Sequence, residues 1–229
     1  VEGLKQFIVA QGGSRSVVQM EWDKIWSFNK KVIDPVAPRY TALDESSTLV
    51  PVVISTSFAD ESAEVNLHPK DATIGTKTIH RGQRLLIEAV DAKEMKTGDI
   101  VTFVNWGNLK ISKIEKAGDV IKAVHAELDL ANTDFKKTLK VTWLGDVKAA
   151  PKSIPVVVAT YEHIISKPII GKDEDWKQYI NKDSQSFTKM LGEPALAGLK
   201  KGAIIQLQRK GFFIVDHVYA AKSEYTDAE

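Results

Sequence analysis

The sequence predicts a mainly β protein, two small β-barrels preceded by a short α-helical junction. Three observations carry this expectation. After Pro38 the chain becomes a series of short β-rich stretches punctuated by Gly, Asn, Asp and Pro. Helices do not alternate with those stretches, which argues for barrels or sandwiches rather than a parallel sheet. Strict alternation is clearest where Val120, Val124, Ala126, Leu128 and Leu130 share one parity, and where Leu139, Val141 and Trp143 do. Roughly 180 residues of such structure suit two small barrels better than one.

The elements follow in order. Leu4, Phe7 and Ile8 fall at helical spacing in Val1–Gln11, and Gly12-Gly13 supplies a usual helix stop. The chain starts at Val1 without a methionine or a leader-like segment, and reads as a piece that begins inside a helical region. A second helix is expected from about Met20 to Ile33, with Trp22, Ile25, Trp26 and Ile33 along one stripe and Pro35 ending it. Trp22 and Trp26 lie four apart on one face, and core packing is the expectation for both. Strands are expected at Leu49–Ser55, Thr78–Val90, Ile100–Trp106, Asn108–Ile114 and Val120–Leu130. Leu139–Leu144, Ile154–Ile165, Ile204–Arg209 and Phe212–His217 complete the set. Trp106-Gly107-Asn108 and Lys210-Gly211 read as hairpin turns, and a short helix near Asp173–Ile180 interrupts the strands.

Composition excludes more than it assigns. With 43% hydrophobic and 27% charged residues the chain can build a core, and no apolar run is long enough to span a bilayer. The absence of cysteine removes disulfides, thiolate nucleophiles and Cys-based zinc sites. His68, His80, His125, His163 and His217 are dispersed without ligand spacing, so no metal site is expected. Gly12-Gly13 fits neither a dinucleotide fingerprint nor a P-loop, and no Gly-x-Ser-x-Gly elbow occurs. The clusters Asp60-Glu61 and Asp173-Glu174-Asp175 read as helix caps or solvated loops rather than acid–base pairs. A net charge of +1 announces no nucleic-acid partner by itself. Of the 31 basic residues only Arg15, Arg39, Arg81, Arg84 and Arg209 are arginines, and the planar guanidinium makes these the positions suited to bidentate recognition. On chemistry alone this is a β-rich binding module with no catalytic residues and no stated ligand.

A resemblance supplies the ligand. The segments Glu21-Trp22-Asp23-Lys24-Ile25-Trp26 and Asn29-Lys30-Lys31-Val32-Ile33-Asp34-Pro35-Val36-Ala37-Pro38-Arg39-Tyr40 resemble the helical junction of eukaryotic-type glutamyl-tRNA synthetases. In that family the junction joins the catalytic half to anticodon-binding barrels. The resemblance continues through Leu67-His68-Pro69-Lys70, Val104-Asn105-Trp106-Gly107-Asn108-Leu109 and Thr160-Tyr161-Glu162-His163. It ends at Ile205-Gln206-Leu207-Gln208-Arg209-Lys210-Gly211-Phe212-Phe213, so it covers nearly the whole chain in collinear order. Tyr40 and the Trp106-Gly107-Asn108 element favour the glutamyl over the glutaminyl enzymes, and in several metazoans this region lies in the glutamyl half of a fused glutamyl–prolyl enzyme.

The resemblance implies barrels like those that bind the anticodon in glutaminyl-tRNA synthetase. The implied division is a junction over 1–40, a first barrel split between 41–56 and 146–229, and a second, inserted barrel over 57–145. It also implies a tRNA(Glu) partner, a cytoplasmic location and a parent that is an ATP-dependent ligase. The His-x-Gly-His and Lys-Met-Ser-Lys-Ser elements of class I catalysis do not occur here, so ATP with Mg is expected only in a catalytic domain outside this chain, and no cofactor within it. The alternative is a protein-interaction module of a multi-synthetase assembly.

Uracil offers two carbonyl acceptors and one N–H donor, so its reader combines an arginine with an amide or carboxylate. The family motifs carry three such positions over: Arg39 from Ala-Pro-Arg, and Gln206 and Arg209 from the last Gln-x-x-Arg-x-Gly element. These are the expected readers of U35, the middle anticodon base. Asn105 and Trp106 are the positional expectation for the flanking bases, where bacterial glutaminyl enzymes carry an arginine-rich strand and this chain has Val101-Thr102-Phe103-Val104. In a regular strand residues 206 and 209 point to opposite faces, so both reach one base only if the strand departs from regularity near Lys210-Gly211.

Overall fold

A computed structural model describes residues 1–13, 15, 20 and 22–220. It is mainly β, with two helices first: α1 (Glu2–Gln11) and α2 (Trp22–Ile33). Gly12 ends α1 with φ 75° while its N–H donates to Val9 O at 3.1 Å. The two helices pack against each other through Phe7 and Phe28, whose rings meet edge to face at 6.0 Å. Gly3 permits that approach, since a Cβ there would lie 2.7 Å from the Asn29 Cα.

The expected core packing of the tryptophans is corrected by the structure. Trp22 and Trp26 stack on each other at 6.0 Å and are each 57% exposed. The reason is topological: α1 packs on α2 through Phe7 and Phe28, and among the described residues the tryptophan stripe is met only by Tyr161, Glu162 and His163, the last 6.5 Å from Trp22.

Short strands β1 (Arg39–Tyr40) and β2 (Ala42–Asp44) follow, then β3 (Val50–Ile54). β4 (Glu61–Asn66) and β5 (Thr76–Arg81) form a two-stranded ribbon. The run expected as one strand over Thr78–Val90 is in fact β5, β6 (Arg84–Ile87) and the start of helix α3 (Ala89–Glu94). Gly82 breaks it, at a point where a Cβ would meet Asp60 Oδ1 at 2.8 Å and Val147 Cγ2 at 2.7 Å. β7 (Ile100–Phe103), β8 (Gly107–Ala117), β9 (Val120–Leu128), β10 (Leu139–Val141) and β11 (Leu144–Gly145) come next. β12 (Ile154–Tyr161), β13 (Gln185–Gly192), β14 (Ile204–Leu207) and β15 (Gly211–Ile214) complete the chain. The helix expected at Asp173–Ile180 is a single 3₁₀ turn over Trp176–Tyr179, capped by the Asp175 carboxylate.

Strands β10-β7-β8-β9-β3-β6-β11 make a curled, half-barrel sheet of seven strands with β10 and β11 at its edges. The larger core, including Val52, Leu85, Ile87, Phe103, Leu109, Ile111 and Val124, is built largely from this sheet. A second core, with Tyr40, Met190, Ile205 and Leu207 among its members, joins the sheets β1-β14-β15 and β12-β13-β2. β3, assigned by the expected division to the same unit as 146–229, pairs instead with β6 and β9 inside the seven-stranded sheet.

The alternation in β9 holds only in part. Val124 and Ala126 are buried as their parity requires, yet Val120 is exposed. The pairing shifts register twice, with Ser112 the extra residue on β8 and Lys122 the extra residue on β9, and the second shift reverses which face the start of β9 presents.

Candidate functional site

Arg39 and Gln206 are brought side by side. β1 runs parallel to β14, and Arg39 is the register partner of Gln206 while Tyr40 partners Leu207. Because successive side chains alternate faces, Tyr40 and Leu207 enter the core and Arg39 and Gln206 share the opposite, half-buried face. Main-chain bonds fix this register: Gln206 N–H donates to Pro38 O at 2.9 Å and Gln208 N–H to Tyr40 O at 2.8 Å. On the other side of β1, Arg39 N–H donates to Leu67 O at 2.7 Å.

The Arg39 guanidinium rests against the end of α2, donating from Nη2 to Asp34 Oδ1 at 3.2 Å. Its Nε is buried and has no hydrogen-bond partner. The buried Nε is out of reach of a ligand. The terminal N–H groups not used by Asp34, with the Gln206 amide on the same sheet face, are the complement of a base edge that offers carbonyl acceptors and one N–H.

Arg209 resolves the parity conflict, because it is not in a strand. β14 stops at Leu207, and Gln208, Arg209 and Lys210 form a three-residue loop in which Arg209 has φ 65°. The loop closes with Lys210 N–H on Leu207 O at 2.9 Å and with Gly211 at φ 142°. The β7–β8 hairpin repeats the device with Val104, Asn105 at φ 65°, Trp106 and then Gly107 at φ 149°. Asn105 and Arg209 are the two non-glycine residues with positive φ among the described residues. A left-handed arginine costs on the order of 1 kcal/mol or more, and such strain collects where function holds it.

What holds Arg209 is Asp91 on α3, whose side chain is only 2% exposed. Nη1 and Nη2 donate to its two carboxylate oxygens at 2.6 and 2.7 Å, and these bonds hold the guanidinium above its already high ordinary range. Lys210 Nζ donates to Glu88 Oε2 at 2.8 Å, and Glu88 Oε1 accepts the Asp44 N–H at 2.7 Å. The turn is therefore stapled to α3 across 118 residues of sequence. Two of Arg209's five donors are used, and the side chain remains 38% exposed. Arg209→Ala would leave a buried carboxylate without its cation, and is expected to lower the unfolding free energy by roughly 1.5–3 kcal/mol in urea denaturation. Arg209→Ala combined with Asp91→Ala should recover most of that loss; a single variant as stable as the parent chain would mean the staple carries no weight.

Asn105 and Trp106 lie in a second cluster. Arg81 donates from Nη2 to Asn105 O at 2.9 Å and from Nη1 to Glu61 at 3.0 Å, and its guanidinium sits 5.7 Å from the Trp106 ring centre. Trp106 also packs on Phe58 and Trp143, and Trp143 Nε1 donates to Val104 O at 2.8 Å. Trp106 is thus a half-buried hairpin-end residue, while Asn105 is exposed. Of the candidate residues only Asn105 lines a small cleft, which it shares with Thr41, Trp143 and the buried Glu193. No His, Asp and Glu group among the described residues could hold a metal ion, and no described helix is long and apolar enough to cross a membrane.

Residue-pattern reasoning missed Asp91 and Glu88, singled out Arg81 only as one of five arginines, and gave His68 no role. The signal that could have drawn attention to His68 is its place in the Leu67-His68-Pro69-Lys70 motif.

Comparison with known proteins bears on this geometry. Two family models match, over residues 37–129 and 140–216, and both describe the anticodon-binding domain of class I (E and Q) tRNA synthetases. The chain is 56% identical over its whole length to the bifunctional glutamate/proline–tRNA ligase of Mus musculus, and 52% identical over 99% of its length to that of Drosophila melanogaster. It is 34% identical over 94% of its length to the cytoplasmic glutamate–tRNA ligase of Saccharomyces cerevisiae. It spans 15%, 13% and 30% of those three proteins respectively.

Proposed function

The chain belongs to the anticodon-binding domain family of the class I glutamyl and glutaminyl tRNA synthetases, and from that membership we propose that it reads the anticodon of glutamate tRNA for a ligase whose catalytic domain lies outside it. The observation that carries the reading is the register of Arg39 against Gln206 on a half-buried sheet face. Arg39 supplies donors to the uracil carbonyls, and the Gln206 amide can accept its N–H. Arg209, oriented from behind by Asp91, presents its remaining donors from the adjacent turn. Asn105 and Trp106, at the tip of the β7–β8 hairpin, contribute at the flanking bases.

The proposed division follows strand pairing. One β unit contains β1, β2 and β12–β15; the other is inserted between β2 and β12 and takes β3 as well. Each is read as a small barrel. ATP and Mg belong to the catalytic domain, and the location is the cytoplasm, as the yeast relative's name has it. The competing reading, docking into a multi-synthetase assembly, rests on the exposed Trp22–Trp26 face. The family match begins at residue 37 and so favours RNA.

Binding of the chain to glutamate tRNA and glutamine tRNA across a salt series tests this. The two anticodons share U35 and differ at base 36. Affinity should fall linearly with log salt, at about −0.7 per phosphate contact for single strands. The net charge of +1 implies a shallow slope set by few contacts. Affinity independent of salt, or unchanged when U35 is replaced, would overturn the proposal.

A further inference from the structure

His68 is 2% exposed and sits in the loop between β4 and β5, 34 residues from the helix end it touches. Its Nδ1 lies 3.2 Å from the Lys70 N–H. Its Nε2 lies 3.0 Å from Asp34 O and 3.3 Å from Arg39 Nη2. A backbone N–H can only donate and a carbonyl can only accept, so these contacts select one state of the ring. The neutral tautomer with hydrogen on Nε2 accepts from Lys70 and donates to Asp34 O, satisfying both backbone groups. The other tautomer would accept from Arg39 but turn an N–H against the Lys70 N–H and a lone pair against Asp34 O. The imidazolium would set a cation beside Arg39 as well. The 3.3 Å approach to Arg39 is accordingly a contact between two donors and not a bond.

The consequence concerns Asp34. Its N–H donates to Lys30 O at 2.8 Å, as the last turn of α2 requires, and its carbonyl is tied to His68. With both backbone groups fixed, its carboxylate has a defined position, and that carboxylate holds Arg39 Nη2. Leu67, next to His68, takes the Arg39 N–H. The Leu67-His68 pair therefore brackets Arg39 twice, once through its own main chain and once through Asp34.

We propose that His68 is a positioning residue for anticodon reading: its Nε2–H clamps the Asp34 carbonyl so that the Asp34 carboxylate aims the Arg39 guanidinium at base 35. This rests on the assignment of Arg39 as a U35 reader. His68 touches no RNA in this arrangement, and donors left free on Arg39 do the reading.

Two amides divide the roles of the ring. In His68→Asn the side-chain oxygen replaces Nδ1 and keeps the Lys70 N–H, but nothing reaches Asp34 O. In His68→Gln the side-chain NH₂ replaces Nε2 and keeps Asp34 O, but the local turn loses its acceptor. The measurement is the affinity of the 229-residue chain for an anticodon stem-loop carrying U35, relative to the same stem-loop carrying C35. His68→Gln is expected to keep the U35/C35 ratio within about twofold, and His68→Asn to lose about tenfold of it. Arg39→Ala is measured in parallel.

If Arg39→Ala loses the ratio while the asparagine variant keeps it and the glutamine variant loses it, His68 only builds the turn and the positioning role is overturned. Equal losses in both amide variants, or none in either, overturn it too. If Arg39→Ala leaves the ratio unchanged, the failure lies with Arg39 as reader, and the His68 proposal falls with it for that separate and visible reason. Thermal melting of both amide variants establishes that the comparison is made between folded chains.

Discussion

Lys77→Met is expected to lower the unfolding free energy by about 3–5 kcal/mol. Lys77 on β5 and Glu193, just before the 3₁₀ turn over Pro194–Gly198, form an ion pair of 2.6 Å whose side chains are 2% and 6% exposed. Lys77 also lies 5.3 Å from the centre of the Tyr40 ring, one residue beyond Arg39. Burial is the first influence on both groups. It pushes Glu193 above its ordinary 4.5 and Lys77 below its ordinary 10.5, while their mutual attraction opposes both shifts. Removing the lysine leaves a buried carboxylate with the Thr41 carbonyl near its backbone and no cation. Replacing both, as Lys77→Met with Glu193→Leu, removes the desolvation cost along with the attraction, and should return most of the lost stability.

The sign of the pH dependence follows. A carboxyl whose folded pKa is raised contributes stability that is complete below its unfolded value, here 4.5, and lost as pH rises through the folded value. Lys77→Met should therefore regain stability as pH is lowered from neutrality toward 4.5, relative to the double variant measured alongside. Urea denaturation of the two variants at several pH values checks this. A single variant that weakens on acidification as much as the double one would show that Glu193 is not the group responsible.

The sequence made the hairpins with strong side-chain alternation legible, because burial of one face writes itself into every second residue. Val50–Ile54 and Leu139–Val141 lie within expected strands for that reason, whereas Ile100–Phe103 is buried at three successive residues and was legible as a short apolar run. β4 and β13 were not anticipated. Glu61–Asn66 is mostly exposed and Gln185–Gly192 is so over its first half, so neither carries a clear apolar period. α3 was hidden inside an apolar run that also contains β6, and its role depends on Asp91, a buried acid that no local pattern distinguishes from a solvated one. The same holds for Lys77 and Glu193, which meet across 116 residues. Arg39 and Gln206 came from motif resemblance alone. Their adjacency, on which the proposed site rests, is a property of the β1–β14 register. Even the expected obstacle at Arg209 was an artefact of assuming a continuous strand, since a left-handed residue removes the two-residue period altogether.

Arg39→Ala is expected to cost roughly 1–3 kcal/mol in binding to an anticodon stem-loop carrying U35, the range for loss of an arginine contact to a base edge. The same substitution should cost much less on a stem-loop with base 35 altered, because the acceptor is then already missing. Stability should move little, for two opposed reasons. The pair with Asp34 is partly exposed, with the two side chains 22% and 38% accessible, and such pairs are worth about 0–1 kcal/mol. Against that, the buried Arg39 Nε has no partner, and deleting the side chain removes that burden. A loss of binding with an unchanged melting temperature is therefore a loss of reading and not of fold. Lys110→Ala, an exposed lysine on β8, gives the control: if it touches phosphate it weakens both RNAs alike. The decisive quantity is the coupling between Arg39→Ala and the change at base 35, taken from a double-mutant cycle. A coupling near zero in a folded chain would make Arg39 a structural residue of the α2–β1 corner, and would leave Gln206 without the partner that its register provides.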